Sequence, residues 1–256
     1  MSKNLLLVEI NEFNHKLMKD ASEVYDLPSI KRFLSLPFQK KIATEDHYDS
    51  GFLEPWVQWV SIHTGKPSSI HQIKHLGDVS FNKFPTMWET LGEQGFTTGV
   101  WGALNAKRGS AKNCKFFLPD PWTFDEIAHP EELNGFLNLP RYMARNYLNP
   151  SLSALVKCLG GFVKFMFRPR ATIALLTELP YFLWYGFKFK FANFITYSLA
   201  EYLSVQRFFD YLKKDDPNFS ILFLNLVAHA QHYYWTNEDL EKNLKLKYTF
   251  QYLDKI

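Results

Sequence analysis

The chain opens on an unbroken apolar run, Leu5 to Val8, that resumes at Ile10 after Glu9. A run this short predicts a strand buried on both faces, as strands of parallel sheets are. Leu17, Met18, Ala21 and Val24 then recur at helical spacing, so 13–25 reads as a helix that Leu27-Pro28 ends. A second short helix is predicted over 29–36 with Ser29 as its cap, then a strand over 38–44 and an acidic loop over 45–51. In 53–78, Pro55 sits in a favoured first-turn position. Trp56, Val57 and Val60 mark an apolar face, and Gly65 and Pro67 supply a stop. Residues 68–78, with His71, His75 and Asp78, read as a polar loop.

The alternation continues downstream. Thr86 with Glu89 three residues on forms a capping-box pattern ahead of a helix that ends at Gly92 or Gly95. A strand is predicted over 96–101, 102–115 reads as a loop, and 116–122 returns to the sheet surface. Phe219 to Val227 is the clearest buried strand, and a charged helix is predicted over 237–256. Strands alternating with helices predict an α/β fold: a doubly wound, mostly parallel sheet flanked by helices. The core is assigned to 1–140 and 215–256, with 141–214 as a helical, aromatic-rich insertion or lid.

Composition changes this picture at one place. Residues 151–195 carry six cations (Lys157, Lys164, Arg168, Arg170, Lys188, Lys190) against one acid, Glu178, among many aromatics. Two readings follow: a helical subdomain whose aromatics are its own core, or a surface that touches lipid or a lipid-linked substrate. The formal net charge of +3 is too small to argue for nucleic acid as a partner. Two distant cysteines, Cys114 and Cys158, define neither a disulfide framework nor a zinc ribbon. No signal-peptide pattern and no run long enough to span a bilayer is present, so the chain reads as cytoplasmic.

Ligands of open α/β sheets bind beyond the carboxyl ends of the strands. There the first strand places Glu9, Asn11 and Glu12, and the late strand places Asn225, His229 and His232. Imidazole nitrogens with side-chain oxygens suit Zn, Mn or Fe rather than Ca. His229 and His232 share a side only if a helical turn forms there. Otherwise they are hydrogen-bonded core or surface histidines.

Three segments resemble the alkaline phosphatase superfamily, above all its type I phosphodiesterase/nucleotide pyrophosphatase branch. LLLVEINEF is similar to that family's first strand, with Asn11 where a metal-binding Asp stands. WVSIHTGKPSSIHQI is similar to the helix and loop after its nucleophile, through Thr64, Gly65, Pro67, His71 and Ile73. VAHAQHYYW is similar to its Asp-His-Ala-Gly-His motif, with His232 on the ligand histidine and His229 beside it. The resemblance implies a metal-dependent hydrolase or transferase of phosphate or sulfate esters, with Zn or Mn as cofactor and a small-molecule, glycan or lipid-linked substrate. It implies Asn11, Asn225, His229 and His232 as the metal set, and His71, His75 and Asp78 as substrate contacts.

The departures are chemical. Asn11 and Ala228 replace carboxylates, and Asn225 is the nearest substitute for the second. The nucleophile's place at the helix start holds Glu54 and Pro55, with Ser50 the nearest hydroxyl upstream. Glu54 and Ser50 are therefore the catalytic candidates. A later Asp-His-Gly segment does not follow before Ile256, so the chain reads as a form truncated at its C-terminus that holds at most one metal. A non-catalytic relative that binds a ligand or partner, or an inactive fragment, are the alternative expectations.

Overall fold

The computed structural model describes residues 4–40, 42, 54–146, 149, 151–190, 193–234 and 240–256. Ser50 and the predicted acidic loop over 45–51 lie outside these residues. The described strands are β1 (Leu5–Ile10), β2 (Thr98–Trp101), β3 (Cys114–Leu118) and β4 (Phe219–Leu224). The helices are α1 (His15–Val24), α2 (Pro28–Leu34), α3 (Pro55–Thr64), α4 (Ser68–His71), α5 (Met87–Glu93), α6 (Asn134–Asn146), α7 (Leu152–Met166), α8 (Pro169–Lys188), α9 (Asn193–Asp215), α10 (Leu226–Tyr234) and α11 (Leu244–Lys255).

The strands form one sheet in the order β1-β4-β2-β3. β2 pairs in parallel with β3 and with β4. Leu5 N–H donates to Asn218 O and Asn11 N–H to Leu224 O, so β1 and β4 also run in step in one direction. This is the α/β fold with a parallel, helix-flanked sheet that the alternating pattern predicts. The side chains of β2 show why both faces are covered. Val100 joins Trp88 of α5, Phe117 and Ile221 in one buried cluster. Its neighbour Trp101 points the other way, against Phe165 of α7 and Phe208 and Tyr211 of α9.

Several local predictions hold. Gly65 closes α3 at φ 64°, a left-handed conformation that costs glycine little. Thr86 and Glu89 form a reciprocal capping box at α5. Others need correction. Ser29 lies inside α2, whose cap is Leu27 and whose first residue is Pro28. Residues 38–40 and 42 form no strand, and Phe38 is 96% exposed. Its apolar residues are separated by Gln39, Lys40 and Lys41 and find no sheet partner among the described residues. Residues 68–78 are not simply a polar loop: α4 occupies 68–71, a 3-10 turn starts at Asp78, and Ser68 and His71 are buried. β4 stops at Leu224, three residues short of the prediction, because α10 begins at Leu226.

Contacts divide the chain into two compact units. One comprises Met1–Glu9, Thr44–Arg168 and Phe208–Phe223, and the other Ile10–Ala43, Pro169–Arg207 and Leu224–Ile256. The predicted insertion 141–214 is thus shared between them. In the first unit α6 and α7 pack closely, with Phe136 stacked on Phe162 at 5.3 Å. In the second, Tyr181 and Tyr185 of α8 pack on Tyr248 of α11 at 5.2 and 4.7 Å. Much of the aromatic content of the insertion is therefore core.

Within the sheet, the ring of Phe116 lies over Gly99 on the adjacent strand. A Cβ at position 99 would fall 2.2 Å from Phe116 Cζ. Gly99→Ala is expected to force this buried ring aside and destabilise the fold by about 1–3 kcal/mol or more. Urea unfolding of the variant against the parent chain measures it.

Candidate functional site

The carboxyl ends of β1 and β4 are neighbours, so the first residues beyond them meet. Asn11 Nδ2 donates to Asn225 Oδ1 at 2.8 Å, and Asn225 Nδ2 lies 3.1 Å from His229 Nε2. Asn225 precedes α10, and the helical turn required to join it to His229 does form: His229 N–H donates to Asn225 O. With the amide donating, His229 Nε2 is the acceptor and the ring is neutral. Burial, and next the nearby His232, push the His229 pKa down to about 4.

His232 lies on the same helix but turns to Glu12. Its Nε2 is 3.0 Å from the Glu12 carboxylate, in a largely exposed pair. Glu12 holds φ 54°, unusual for a residue with a side chain. Gln231 Nε2 donates to its carbonyl at 2.5 Å and helps fix that turn. Asn14 then caps α1 through Leu17 N–H.

Two residues of α9 complete the cluster. Tyr197 stacks on the His229 ring, centroids 4.9 Å apart. One turn on, Glu201 accepts Asn225 N–H and Leu226 N–H, both at 3.0 Å. These are the unsatisfied amides at the start of α10, a natural place for an anion. Burial raises the Glu201 pKa to about 7, against the lowering effect of those two amides. The carboxylate explains why β4 ends where it does, since it satisfies the amides that a longer strand would have paired.

The other candidates lie in the first unit. Glu54 is the cap residue of α3 and makes no side-chain capping bond. Asn105, buried and at φ 50°, ties this helix start to the His75–Asp78 turn. Its Nδ2 donates to Trp56 O at 3.0 Å and His75 O at 3.2 Å, and its Oδ1 accepts Gly77 N–H at 2.9 Å. Its own N–H goes to Asp120 Oδ2 at 2.8 Å. Glu54, His75 and Asp78 thus share a neighbourhood, and His75 is exposed. Asp78 Oδ2 accepts His75 N–H, a local turn bond. His71 is buried, with Nε2 on Ser61 Oγ at 2.9 Å and Nδ1 accepting Ile73 N–H at 3.0 Å. Both its nitrogens serve the fold. Glu9 is buried within the first unit. Its oxygens lie 3.1 and 3.2 Å from Nε2 of His63, between Trp59 and Trp88.

No family model, curated protein or solved structure matches this chain. The site is therefore read from its own chemistry.

Among the described residues no three His, Cys, Asp or Glu side chains converge as metal ligands would. A cation at the carboxyl edge would have to use amide oxygens of Asn11 and Asn225 with the neutral imidazole of His229. Asn225 Oδ1 already accepts from Asn11 Nδ2 and His229 Nε2 from Asn225 Nδ2, so a cation would have to displace both bonds, and the amides lack the charge that carboxylates would give it. Sequence reasoning missed Glu201, Tyr197 and Asn105. Each acts through a partner far along the chain, and nothing in its local pattern marks it.

His229 and Glu201 give opposite pH signatures. His229 has a folded pKa of about 4 against an ordinary 6.5, so its stabilisation is present above 6.5 and is lost as pH falls toward 4. Glu201 has a folded pKa of about 7 against an ordinary 4.5, so stability is lost as pH rises from 4.5 to 7. Each is worth up to about 3 kcal/mol. Relative to the parent chain, Glu201→Gln should gain stability with rising pH over this window and His229→Gln should lose it. Urea midpoints measured between pH 4.5 and 7 check both signs.

Proposed function

We propose that this chain binds a phosphate or sulfate ester through one divalent cation held at the carboxyl edge of β1 and β4, in the manner of a degenerate metal-dependent ester hydrolase or transferase. The supporting observation is the convergence of Asn11, Asn225 and a neutral, buried His229 within hydrogen-bond reach. The charge around it favours a cation over a bare anion. Glu12 and Glu201 are the ionisable neighbours tied to these elements, and the bonds described above bring no Lys or Arg to them.

A bound Zn or Mn would polarise the ester oxygens and neutralise their charge. The chain's own residues do the positioning. Tyr197 fixes the His229 ring plane, Asn225 fixes which nitrogen accepts, and Glu201 anchors the start of α10 that carries both. His232 lies beside this set, paired with Glu12, and is the natural fourth contact once that pair opens. Glu54 and Ser50 remain the proposed catalytic groups, and His75 and Asp78 the proposed substrate contacts, since His71 is buried with both nitrogens bonded. Of these, the exposed His75 is the best presented to a ligand. A reducing, cytoplasmic setting is proposed from the two distant cysteines of the sequence.

A second reading has its own observation: both amides bond to a neighbour where the resemblance expects carboxylates. That arrangement fits a relative that binds its ester without cleaving it.

Calorimetric titration of the metal-stripped chain with Zn or Mn is expected to show one site per chain. His229→Ala should weaken it about 10- to 100-fold, as loss of a positioned contact does at metal sites. No uptake by the parent chain would end the metal reading. Release of nitrophenol from bis(p-nitrophenyl) phosphate or p-nitrophenyl sulfate by the metal-loaded chain, abolished by Glu54→Gln, would identify an enzyme. Metal uptake without release would identify the binding relative.

A further inference from the structure

α6 and α7 pack as a close pair within the first unit, and only one side of α7 takes part. Gly161 lets the two backbones approach, since a Cβ there would fall 3.0 Å from Gly135 O. Phe162 stacks on Phe136, and Phe165 and Met166 are buried. The outer side of α7 is exposed and apolar. It carries Leu152 at 78% exposure, Val156 at 60%, Leu159 at 47% and Val163 at 39%, with Phe167 at 64% just past the helix end. At 100° per residue, positions 152, 156, 159 and 163 fall on one stripe, an arc of about 60°.

The charge beside the stripe has one sign. Lys157 and Lys164 lie roughly a quarter-turn round the helix from it, and Arg168 follows Phe167 at its end. All three are exposed, and among the described residues none of the three side chains has a hydrogen-bond, ion-pair or aromatic partner. From Asn134 to Arg168 the sequence contains no Asp or Glu. The two other cations of this stretch are engaged: Arg141 donates to Thr123 O and Glu126 O, and Arg145 sits over the Phe124 ring. Fifteen residues of helix span about 22 Å. Among the described residues no helix is long and apolar enough to cross a membrane. A helix with this outer side lies in the plane of a bilayer surface, its stripe at the acyl boundary and its lysines reaching up to the headgroups.

We propose that the outer side of α7 docks on an anionic lipid surface. Charge complementarity selects this occupant. Anionic headgroups supply the countercharge that Lys157, Lys164 and Arg168 do not find in the chain, and acyl chains cover the apolar stripe. A second copy of α7 would cover the stripe but would bring the same cations and no acid to it. The inference is independent of the metal site: it rests on residues of the first unit, and Asn11, Asn225 and His229 belong to the second.

Flotation of the full chain with vesicles tests it, comparing phosphatidylcholine alone with a mixture in which roughly one lipid in three is phosphatidylglycerol. The parent chain is expected to float with the anionic vesicles and to be released by salt. Leu152→Glu with Val156→Glu should abolish binding. Lys157→Gln and Lys164→Gln should each weaken it about five-fold, the equivalent of ~1 kcal/mol per charge near the surface. These lysines are exposed and unpartnered, so their variants keep the test open if the double glutamate variant misfolds. Absence of flotation by the parent chain would overturn the proposal, as would equal flotation with both kinds of vesicle. So would flotation that all these variants retain, because another surface would then be responsible. Self-association in solution that Leu152→Glu with Val156→Glu abolishes, without vesicle binding, would instead assign the stripe to a second copy of the chain and refute the lipid assignment.

Discussion

Parallel pairing of β1 with β4 sets where the polar residues of this chain can meet. Two parallel strands that run in step end on the same edge of the sheet, and the residues just past them become neighbours. Here the step matches Asn11 with Leu224 and Asn225. Two amides more than two hundred residues apart are thereby placed in one hydrogen-bonded row with His229. An antiparallel pairing of the same strands would send them to opposite ends.

The start of α10 depends on that placement and on one acid. A strand that runs directly into a helix leaves the first helical amides without partners. Glu201 satisfies two of them from α9, and the same helix sets Tyr197 against the His229 ring. The cost is a carboxyl group in a site that raises its pKa. The gain is a helix that presents His229 in its neutral form. The opposed titrations of these groups are two consequences of one burial, since low polarity disfavours each charged form.

The aromatic and basic stretch places packed and exposed apolar residues on one helix. Tyr181 and Tyr185 of α8 build core against α11, as apolar stripes usually do. Ile173, Leu176, Trp184 and Phe187 face outward. The reading of the aromatics as core describes the packed side of α8. A helix with apolar residues on both sides has no single amphipathic axis, and the packed side can be identified only from its neighbours.

Local patterns carried much of the architecture. The run Leu5–Ile10, the Thr86–Glu89 capping box, the Gly65 stop and the run from Phe219 each depend on residues a few positions apart. Their stereochemistry is complete within the segment. The α/β class follows from their order. Where the pattern misled, the missing information was distant. Residues 38–40 and 42 lacked a strand to pair with, and the late strand stopped early because Glu201 claimed the next amides. His71 looked like a loop ligand until Ser61 and the Ile73 amide took both its nitrogens. The sequence by itself determined the order of strands and helices and the polar residues that follow β1 and β4. Tertiary structure alone decided which of those polar groups bond to one another, because a hydrogen bond between distant residues is fixed by sheet register and helix packing, and neither is encoded within a single window of the chain.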